Sequence, residues 1–155
     1  MYVTEEELKE QKAFTENLVL TGSPAVATEM VTCVLALNSL PGIAVVATCA
    51  GREKLPGPAE LGVVVTEEGE KNFRAVYEYV RDVYLGHEYG SYHRRWKDIG
   101  IREDTVPFRM DDDKPRKRLM ITYRVKMKEE NRRGLFDAFI ERVQEACHNY
   151  NPVEE

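Results

Sequence analysis

The chain has 155 residues, of which 43% are hydrophobic and 32% are charged. This balance is typical of a folded protein rather than a disordered one, and the length fits one domain. The net charge of -5 argues against non-specific binding to polyanions, although a local basic patch would still allow such binding.

The cysteine pattern and the hydropathy of the chain exclude further classes. The three cysteines form no Cys-x-x-Cys pair, which argues against a disulfide framework or a zinc ribbon, and we expect no metal. No apolar run is long enough to span a membrane, and the first ten residues are acidic where a secretory signal would be basic and then apolar. We therefore expect a cytoplasmic protein with no membrane association.

Two helices are predicted at the start of the chain. Thr4 opens a Thr-x-x-Glu capping box, which predicts a helix that runs to Leu20. Ser23 and Pro24 fit the cap and the first position of a second helix, and the apolar spacing that follows predicts that it packs on a core. This helix is predicted to end near Asn38, before a Pro-Gly turn.

Strands and a third helix follow. The short apolar runs over 43–48 and 61–65 lack polar alternation, which predicts central strands covered on both faces. A helix with apolar residues at helical spacing comes next. The clearest strand covers 119–127, where every second residue is apolar, and 106–110 is predicted to pair with it. Pro107 places this partner at an edge of the sheet.

The remaining segments complete the predicted architecture. Residues 87–104 show no clear pattern, and 96–101 is a candidate edge strand. A strongly amphipathic helix from about Leu135 to Cys147 closes the chain. The order ααββαββα, without repeats or a long linker, predicts one α+β domain over residues 1–155. In this domain helices pack on a mostly antiparallel sheet.

The loop after the first predicted strand holds side chains suited to chemistry. Thr48 offers a hydroxyl, Cys49 a thiol and Arg52 a planar cation that suits a carboxylate or a phosphate. Gly51 allows a sharp turn or a close approach to a ligand. In open α/β sheets, ligands gather beyond the carboxyl ends of strands. The alternative is a plain turn, in which Cys49 is a small buried hydrophobe and Arg52 is solvated.

A family resemblance covers residues 21–52. Asn38-Ser39, nine further residues and the run Cys49-Ala50-Gly51-Arg52 resemble the signature of the tRNA wybutosine-synthesizing methyltransferase family, the third enzyme of that pathway. That family has a Gly-Ser helix start, an Asn-Ser helix end and a Ser-Ser-Cys-Ser/Ala-Gly-Arg loop after a strand. Gly22-Ser23 lies close to the expected distance upstream. The resemblance implies a similar α+β fold, S-adenosylmethionine as methyl donor and a modified tRNA guanosine as substrate.

The resemblance also assigns roles to the loop residues. It implies that Cys49 is catalytic and that the cofactor contacts Thr48, Gly51 and Arg52, with Thr48 in the place of a family serine. The first serine of the family loop and the acidic residues after Gly-Ser are replaced in this chain, and the later Gly-Gly-x-Trp and His elements are not found. Small bacterial and phage proteins of unknown role carry a similar Ser-Cys-x-Gly loop, and the chain resembles them about equally.

A second candidate site lies in the segment 84–97, where aromatic residues alternate with histidine and arginine. Such side chains stack on bases while the cations hold phosphates, which predicts contact with a nucleotide or RNA. The candidate substrate-binding residues are His87, Tyr92, His93, Arg95 and Trp96. Alternatively, the aromatic residues complete the core and the charged ones are solvated.

Three functions remain open on the sequence alone. The first is a small-ligand or nucleotide-binding protein, or a diverged tRNA-modifying enzyme, whose pocket combines the 48–52 loop with the segment 84–96. The second is a non-enzymatic binding or inhibitory accessory protein of phage or mobile-element type, with an exposed patch or a dimer face for which the terminal helix is a candidate. The third is a thiol-dependent enzyme, which requires His87 or His93 within hydrogen-bond reach of Cys49. The sequence does not decide whether the protein is an enzyme.

Overall fold

Residues 1–86, 99–109 and 112–149, which the computed structural model describes, form four helices and four strands. The helices are α1 (Glu5–Leu20), α2 (Val31–Asn38), α3 (Glu67–Gly86) and α4 (Arg132–His148). The strands are β1 (Ile43–Cys49), β2 (Ala59–Val65), β3 (Ile99–Arg109) and β4 (Asp112–Tyr123). The observed order confirms the predicted α+β fold. None of the described helices is long and apolar enough to cross a membrane.

The strands form one antiparallel sheet in the order β1-β2-β4-β3. The predicted pairing of β3 with β4 is confirmed, and so is the edge position indicated by Pro107. The prediction that the first strand is central is wrong, because β1 has β2 as its single neighbour in the described sheet. Helices cover β1 on both faces, which explains why this edge strand shows no polar alternation.

The two faces of the sheet are covered unequally. The inner face carries α2, α3 and α4 and the main core, in which the Tyr123 ring lies 5.3 Å from the Phe139 ring. On the outer face, α1 packs on β1 and on a smaller cluster. This cluster consists of Val3, Leu8, Ala44 and Val64.

The predicted capping box of α1 is present. The Glu7 backbone N–H donates to Thr4 Oγ1 at 3.1 Å, and the Thr4 N–H donates to Glu7 Oε1 at 3.0 Å. The Glu7 carboxylate also accepts two hydrogen bonds from the Arg116 guanidinium, at 2.7 and 3.1 Å. The cap therefore fixes the start of α1 to β4 as well as satisfying the first turn of the helix.

Several predicted boundaries differ from the structure, and β4 begins at Asp112 rather than at the predicted residue 119. The second helix begins at Val31 rather than at Pro24, because Ser23 Oγ accepts from the Ala25 N–H within a local turn and a short 3-10 helix follows. Strand β4 ends at Tyr123 rather than at residue 127, because the chain leaves the sheet where the Val125 carbonyl accepts from α4. Of the predicted edge strand over 96–101, residues 99–101 belong to β3 and 96–98 lie outside the described residues.

Side chains occupy the outward backbone groups of Val45 at the free edge of β1. The Val45 N–H donates to Asn38 Oδ1 at 2.9 Å. The Val45 carbonyl accepts from Thr15 Oγ1 at 2.7 Å and from Gln11 Nε2 at 3.1 Å. The register of β1 against β2 shifts between Val45 and Ala47, so a bulge also bends the strand here. These contacts occupy backbone groups that would otherwise accept another strand.

An ion-pair network joins α3 to β4. The Glu70 carboxylate accepts from Lys117 Nζ at 2.7 Å, from the Tyr2 hydroxyl at 2.7 Å and from Arg74 Nε at 2.9 Å. Burial raises the pKa of Glu70, but these hydrogen bonds outweigh it and lower the pKa to about 2. The hydrogen bond with Glu70 also raises the pKa of Lys117, so both groups are charged at neutral pH.

Candidate functional site

The loop between β1 and β2 is held by Arg132, at the first position of α4. The Arg132 side chain is buried, with 3% of the residue exposed. Its Nη1 donates to the carbonyls of Arg52 and Leu55, the latter at 2.7 Å, and its Nη2 donates to the Gly57 carbonyl at 3.1 Å. Its Nε donates to the Val125 carbonyl at 3.1 Å. One buried guanidinium therefore orders both ends of the loop.

Arg133 holds the first residues of the same loop. Its Nη1 donates to the Gly51 carbonyl at 2.7 Å and its Nη2 to the Ala50 carbonyl at 2.8 Å. Its Nε lies 3.0 Å from Asp137 Oδ1, one turn further along the helix. Two successive arginines thus bind the carbonyls of a loop more than 70 residues earlier in the sequence.

Gly51 is required by its surroundings. Its φ of +83° lies in the left-handed region, and a Cβ at this position would stand 2.6 Å from the Phe136 ring. The guanidinium carbons of Arg132 and Arg133 lie 5.0 and 5.5 Å from the centroid of the same ring. The close approach at Gly51 is therefore to the aromatic ring of α4, and the two arginines flank it.

A pocket of about 190 Å³ opens beside this loop. Its lining residues are Cys49, Arg52, Pro56, Gly57, Pro58 and Glu60. Cys49 and Glu60 are directly opposite each other across β1 and β2, so their side chains share the outer face of the sheet. Arg52 is exposed on the loop above them. The pocket thus combines a thiol, a guanidinium and a carboxylate against a wall with two prolines.

The structure brings together some of the predicted site residues and separates others. Cys49 and Arg52 line the pocket, and Gly51 lies buried beside it. Thr48 lines a different cavity of about 80 Å³, next to α1. The candidates His87, Tyr92, His93, Arg95 and Trp96 lie outside the described residues.

The topology nevertheless places the strand that follows those candidates near the loop. Strand β3 begins at Ile99, which is opposite Tyr123, and Tyr123 is in turn opposite Ala59. Ala59 precedes Glu60, which lines the pocket. The segment after residue 98 therefore enters the sheet at the same end as the pocket.

The three cysteines differ in their surroundings. Burial raises the pKa of the Cys33 thiol, with a smaller contribution from Cys147, and burial raises the pKa of Cys147 to about 12. Both thiols are therefore protonated at neutral pH. Cys49 is partly exposed and free. Within the described ranges, no group of three or more His, Cys, Asp or Glu side chains is arranged to hold a metal.

Arg132 and Arg133 were not among the residues predicted from the sequence. Two adjacent arginines before an apolar helix are typical of a solvated surface. One signal in the sequence does set them apart, because cations are disfavoured at the N-terminus of a helix, where the backbone N–H groups carry a partial positive charge. Arginines at such positions therefore indicate a specific partner, which here is the loop after β1.

Comparisons of the chain with models of protein families, with curated proteins and with solved structures found no match. The fold and the pocket define an α+β protein with a candidate ligand-binding site at one end of an antiparallel sheet. The function is therefore argued from this site.

Proposed function

We propose that the protein binds a phosphate-bearing ligand in the pocket lined by Cys49, Arg52 and Glu60. The ligand is either a free nucleotide or one nucleotide of an RNA chain. The observation that carries this proposal is the exposed guanidinium of Arg52 on a loop that two other arginines hold in place. A planar guanidinium binds phosphate oxygens in pairs, and a fixed loop lowers the entropy lost on binding.

The buried charge of Arg132 supports an anionic ligand. In the described part of the chain, the acceptors of its hydrogen bonds are backbone carbonyls, which carry no formal charge. One of them belongs to Gly57, which also lines the pocket. Because few water molecules reach a guanidinium that is 3% exposed, its field is weakly screened, and it favours negative charge beside the loop.

The other lining groups suit the rest of a nucleotide. The Glu60 carboxylate is an acceptor for ribose hydroxyls or for an ammonium group, and Pro56 and Pro58 offer an apolar wall. The volume of about 190 Å³ is below the 300–1,000 Å³ of typical ligand sites, so these residues hold only part of such a molecule.

S-Adenosylmethionine remains a candidate ligand of the same pocket. Its amino-acid end carries a carboxylate for Arg52 and an ammonium for Glu60, and Cys49 then lies beside it as the candidate catalytic thiol. The finer proposal is therefore a diverged tRNA-modifying methyltransferase, which rests on the resemblance of the 21–52 segment. A thiol-dependent reaction at Cys49 would also use this pocket.

Thermal shift measurements with nucleoside monophosphates, S-adenosylmethionine and tRNA test the proposal. A ligand present at 100 times its Kd stabilises the native protein by about 2.7 kcal/mol. For a chain of this size that corresponds to a rise of about 5–10 °C in Tm. If no member of the panel raises the Tm, the proposed function is wrong.

Two substitutions in the same loop locate the site. Arg52→Ala removes charge-assisted hydrogen bonds, so we expect the Kd of the responding ligand to rise about 10- to 100-fold. Lys54→Ala is the matched control, because Lys54 is exposed on the loop but does not line the pocket, and we expect less than about a twofold change. An equal loss of affinity in both variants would place the ligand elsewhere.

An accessory protein that binds a macromolecule is the second candidate function. Phe14 on α1 is 61% exposed, and it lines a cavity of about 350 Å³ together with Glu10, Gln11 and Phe108. Leu20 at the end of the same helix is 84% exposed. Exposed apolar side chains of this kind are found in partner-binding surfaces. Phe14→Ser should abolish capture of a protein partner and leave the ligand response of the pocket unchanged.

A further inference from the structure

In β3, the backbone N–H and carbonyl of every second residue point away from β4, toward the free edge of the sheet. The Lys117 N–H donates to the Met1 carbonyl at 2.7 Å, on the side of β4 remote from β3. Thr105 is opposite Lys117, so these two residues form a non-hydrogen-bonded pair, and the N–H and carbonyl of Thr105 point to the free edge. By the alternation of a strand, Ile101 and Glu103 do the same.

The position of Pro107 agrees with this orientation. Pro107 is opposite Pro115, and neither residue has an N–H to donate. Proline is tolerated in an edge strand where the missing N–H would have pointed to solvent. The ladder between β3 and β4 therefore loses no hydrogen bond at this pair.

The two edges of the sheet differ in whether side chains bind their outward backbone groups. The side chains of Asn38, Thr15 and Gln11 occupy the backbone groups of Val45 at the edge of β1. Within the described residues, no comparable hydrogen bond reaches the outward groups of β3 from Ile101 to Thr105. An unpaired strand edge of this length is a template for another strand.

We propose that β3 pairs antiparallel with β3 of a second copy of this chain, about a two-fold axis at Glu103. In this register, Arg102 lies opposite Asp104 of the partner subunit, and the symmetry repeats the pair. Ile101 exchanges backbone hydrogen bonds with Thr105 of the partner subunit. Two four-stranded sheets then form one continuous sheet.

Charge selects this register over its neighbours. Arg102 is exposed on the outer face, where its Nη2 donates to Met120 Sδ at 3.2 Å. A slip by one residue would place outer-face side chains opposite inner-face ones. The nearest slips that preserve the faces would place Arg102 against Arg102, which is repulsive, or Asp104 against Asp104. Arg118 of the same chain pairs with each Asp104 at 2.6 and 2.8 Å and reduces that repulsion, but this second slip still loses both pairs between Arg102 and Asp104.

The negative charges of the two Glu103 side chains at the axis are each balanced by cations of their own chain. Glu103 Oε1 lies 3.1 Å from Lys117 Nζ and 3.3 Å from Arg74 Nη2 of its own chain. Each carboxylate therefore approaches its symmetry mate with cations beside it. The like-charge repulsion that would otherwise oppose the pairing is reduced.

Sedimentation velocity over a range of protein concentrations tests the interface. We expect the wild-type protein to be a dimer, and Arg102→Asp to raise the dimer Kd at least about tenfold, because two attractive pairs become repulsive. Asp104→Arg should weaken the dimer in the same way, and an equimolar mixture of the two variants should recover a heterodimer. Lys9→Asp is the control at an exposed cation of α1, which packs on β1 at the other edge of the sheet, and it should leave the dimer intact.

A backbone variant tests the proposal without changing any charge. Thr105→Pro removes an outward N–H while the ladder to β4 keeps its hydrogen bonds, so the variant should fold and be monomeric. A wild-type protein that is monomeric at every concentration overturns the proposal. A folded Thr105→Pro variant that stays dimeric also overturns it, as does a mixture of the folded charge variants that remains monomeric.

Discussion

Gly51 offers the sharpest test of what holds the candidate site together. Gly51→Ala adds a Cβ at a φ of +83°, 2.6 Å from the Phe136 ring. The left-handed backbone costs a non-glycine residue about 1–2 kcal/mol, and overpacking against a fixed ring costs about 1–3 kcal/mol. Alanine also lowers the entropy of the unfolded chain, which offsets about 0.4–1 kcal/mol of this destabilisation. We expect a net loss of about 3 kcal/mol.

Thermal and urea denaturation measure this loss. For a chain of this length, about 3 kcal/mol corresponds to a fall of about 6–12 °C in Tm. Gly22→Ala is the matched control, because Gly22 also has a positive φ, +66°, but nothing lies within 4 Å of the added Cβ. This control carries the backbone cost alone, so we expect it to lose about 1 kcal/mol.

A double-mutant cycle isolates the contact with the ring. In the Phe136→Leu background the ring is absent, so the cost of Gly51→Ala should fall to that of the Gly22→Ala control. The reasoning is refuted if Gly51→Ala destabilises the wild-type protein no more than Gly22→Ala does. An equal cost of Gly51→Ala in both backgrounds refutes it as well.

Three further predictions concern the ion-pair network around Glu70, the hydrogen bonds of Arg132 to the loop after β1, and the three thiols. Glu70→Gln should lower the free energy of unfolding by about 1–3 kcal/mol above pH 4.5. The reason is that the fold lowers the pKa of Glu70 from 4.5 to about 2, and solvent screening reduces the free energy that this shift contributes. The difference from wild type should shrink as the pH falls toward 2, where the wild-type carboxylate becomes protonated. Arg132→Met leaves loop carbonyls without donors, so we expect a loss of about 2–4 kcal/mol and faster tryptic cleavage after Lys54. Alkylation followed by mass spectrometry should label Cys49 in the native protein, and Cys33 and Cys147 only after denaturation.

Each of these predictions has an outcome that contradicts it. A Glu70→Gln difference that is constant from pH 7 to pH 2 would show that the carboxylate does not titrate with the fold. Equal tryptic cleavage in Arg132→Met and in Arg142→Met, a substitution at a half-buried arginine of the same helix, would show that Arg132 does not protect the loop. Labelling of Cys147 at the same rate as Cys49 in the native protein would show that the helix α4 does not protect it.

The sequence predicted the elements well where local chemistry decides them. The capping box at Thr4, the turn at Pro41-Gly42 and the apolar stripe of α4 are signals that short segments carry by themselves. The start of α2 was wrong because Ser23 and Pro24 also suit a turn, and a tertiary core chooses between the two. The predicted central position of β1 was wrong because α1 covers the outer face of this edge strand, which removes the polar alternation expected at an edge. No local pattern shows which helix will pack there.

The site was predictable only in part. Cys49 and Arg52 were identified because a small-residue loop after a strand displays its side chains, and both line the pocket. Glu60 was missed, since its role depends on the register of β1 against β2. Arg132 was missed because its partners in the loop are backbone carbonyls more than 70 residues earlier, and these do not depend on which side chains the loop carries.

The side chains that occupy the backbone of Val45 make the β1 edge a poorer place than the β3 edge for a strand to add. A sheet that accepted strands at both edges could add copies without end, as fibrils do. Here Val45 has its N–H and its carbonyl engaged by side chains, so this edge offers no template at that point. A strand that added at β1 would have to displace these side-chain hydrogen bonds of Val45, whereas the proposed pairing of β3 with β3 uses the β3 edge of both copies.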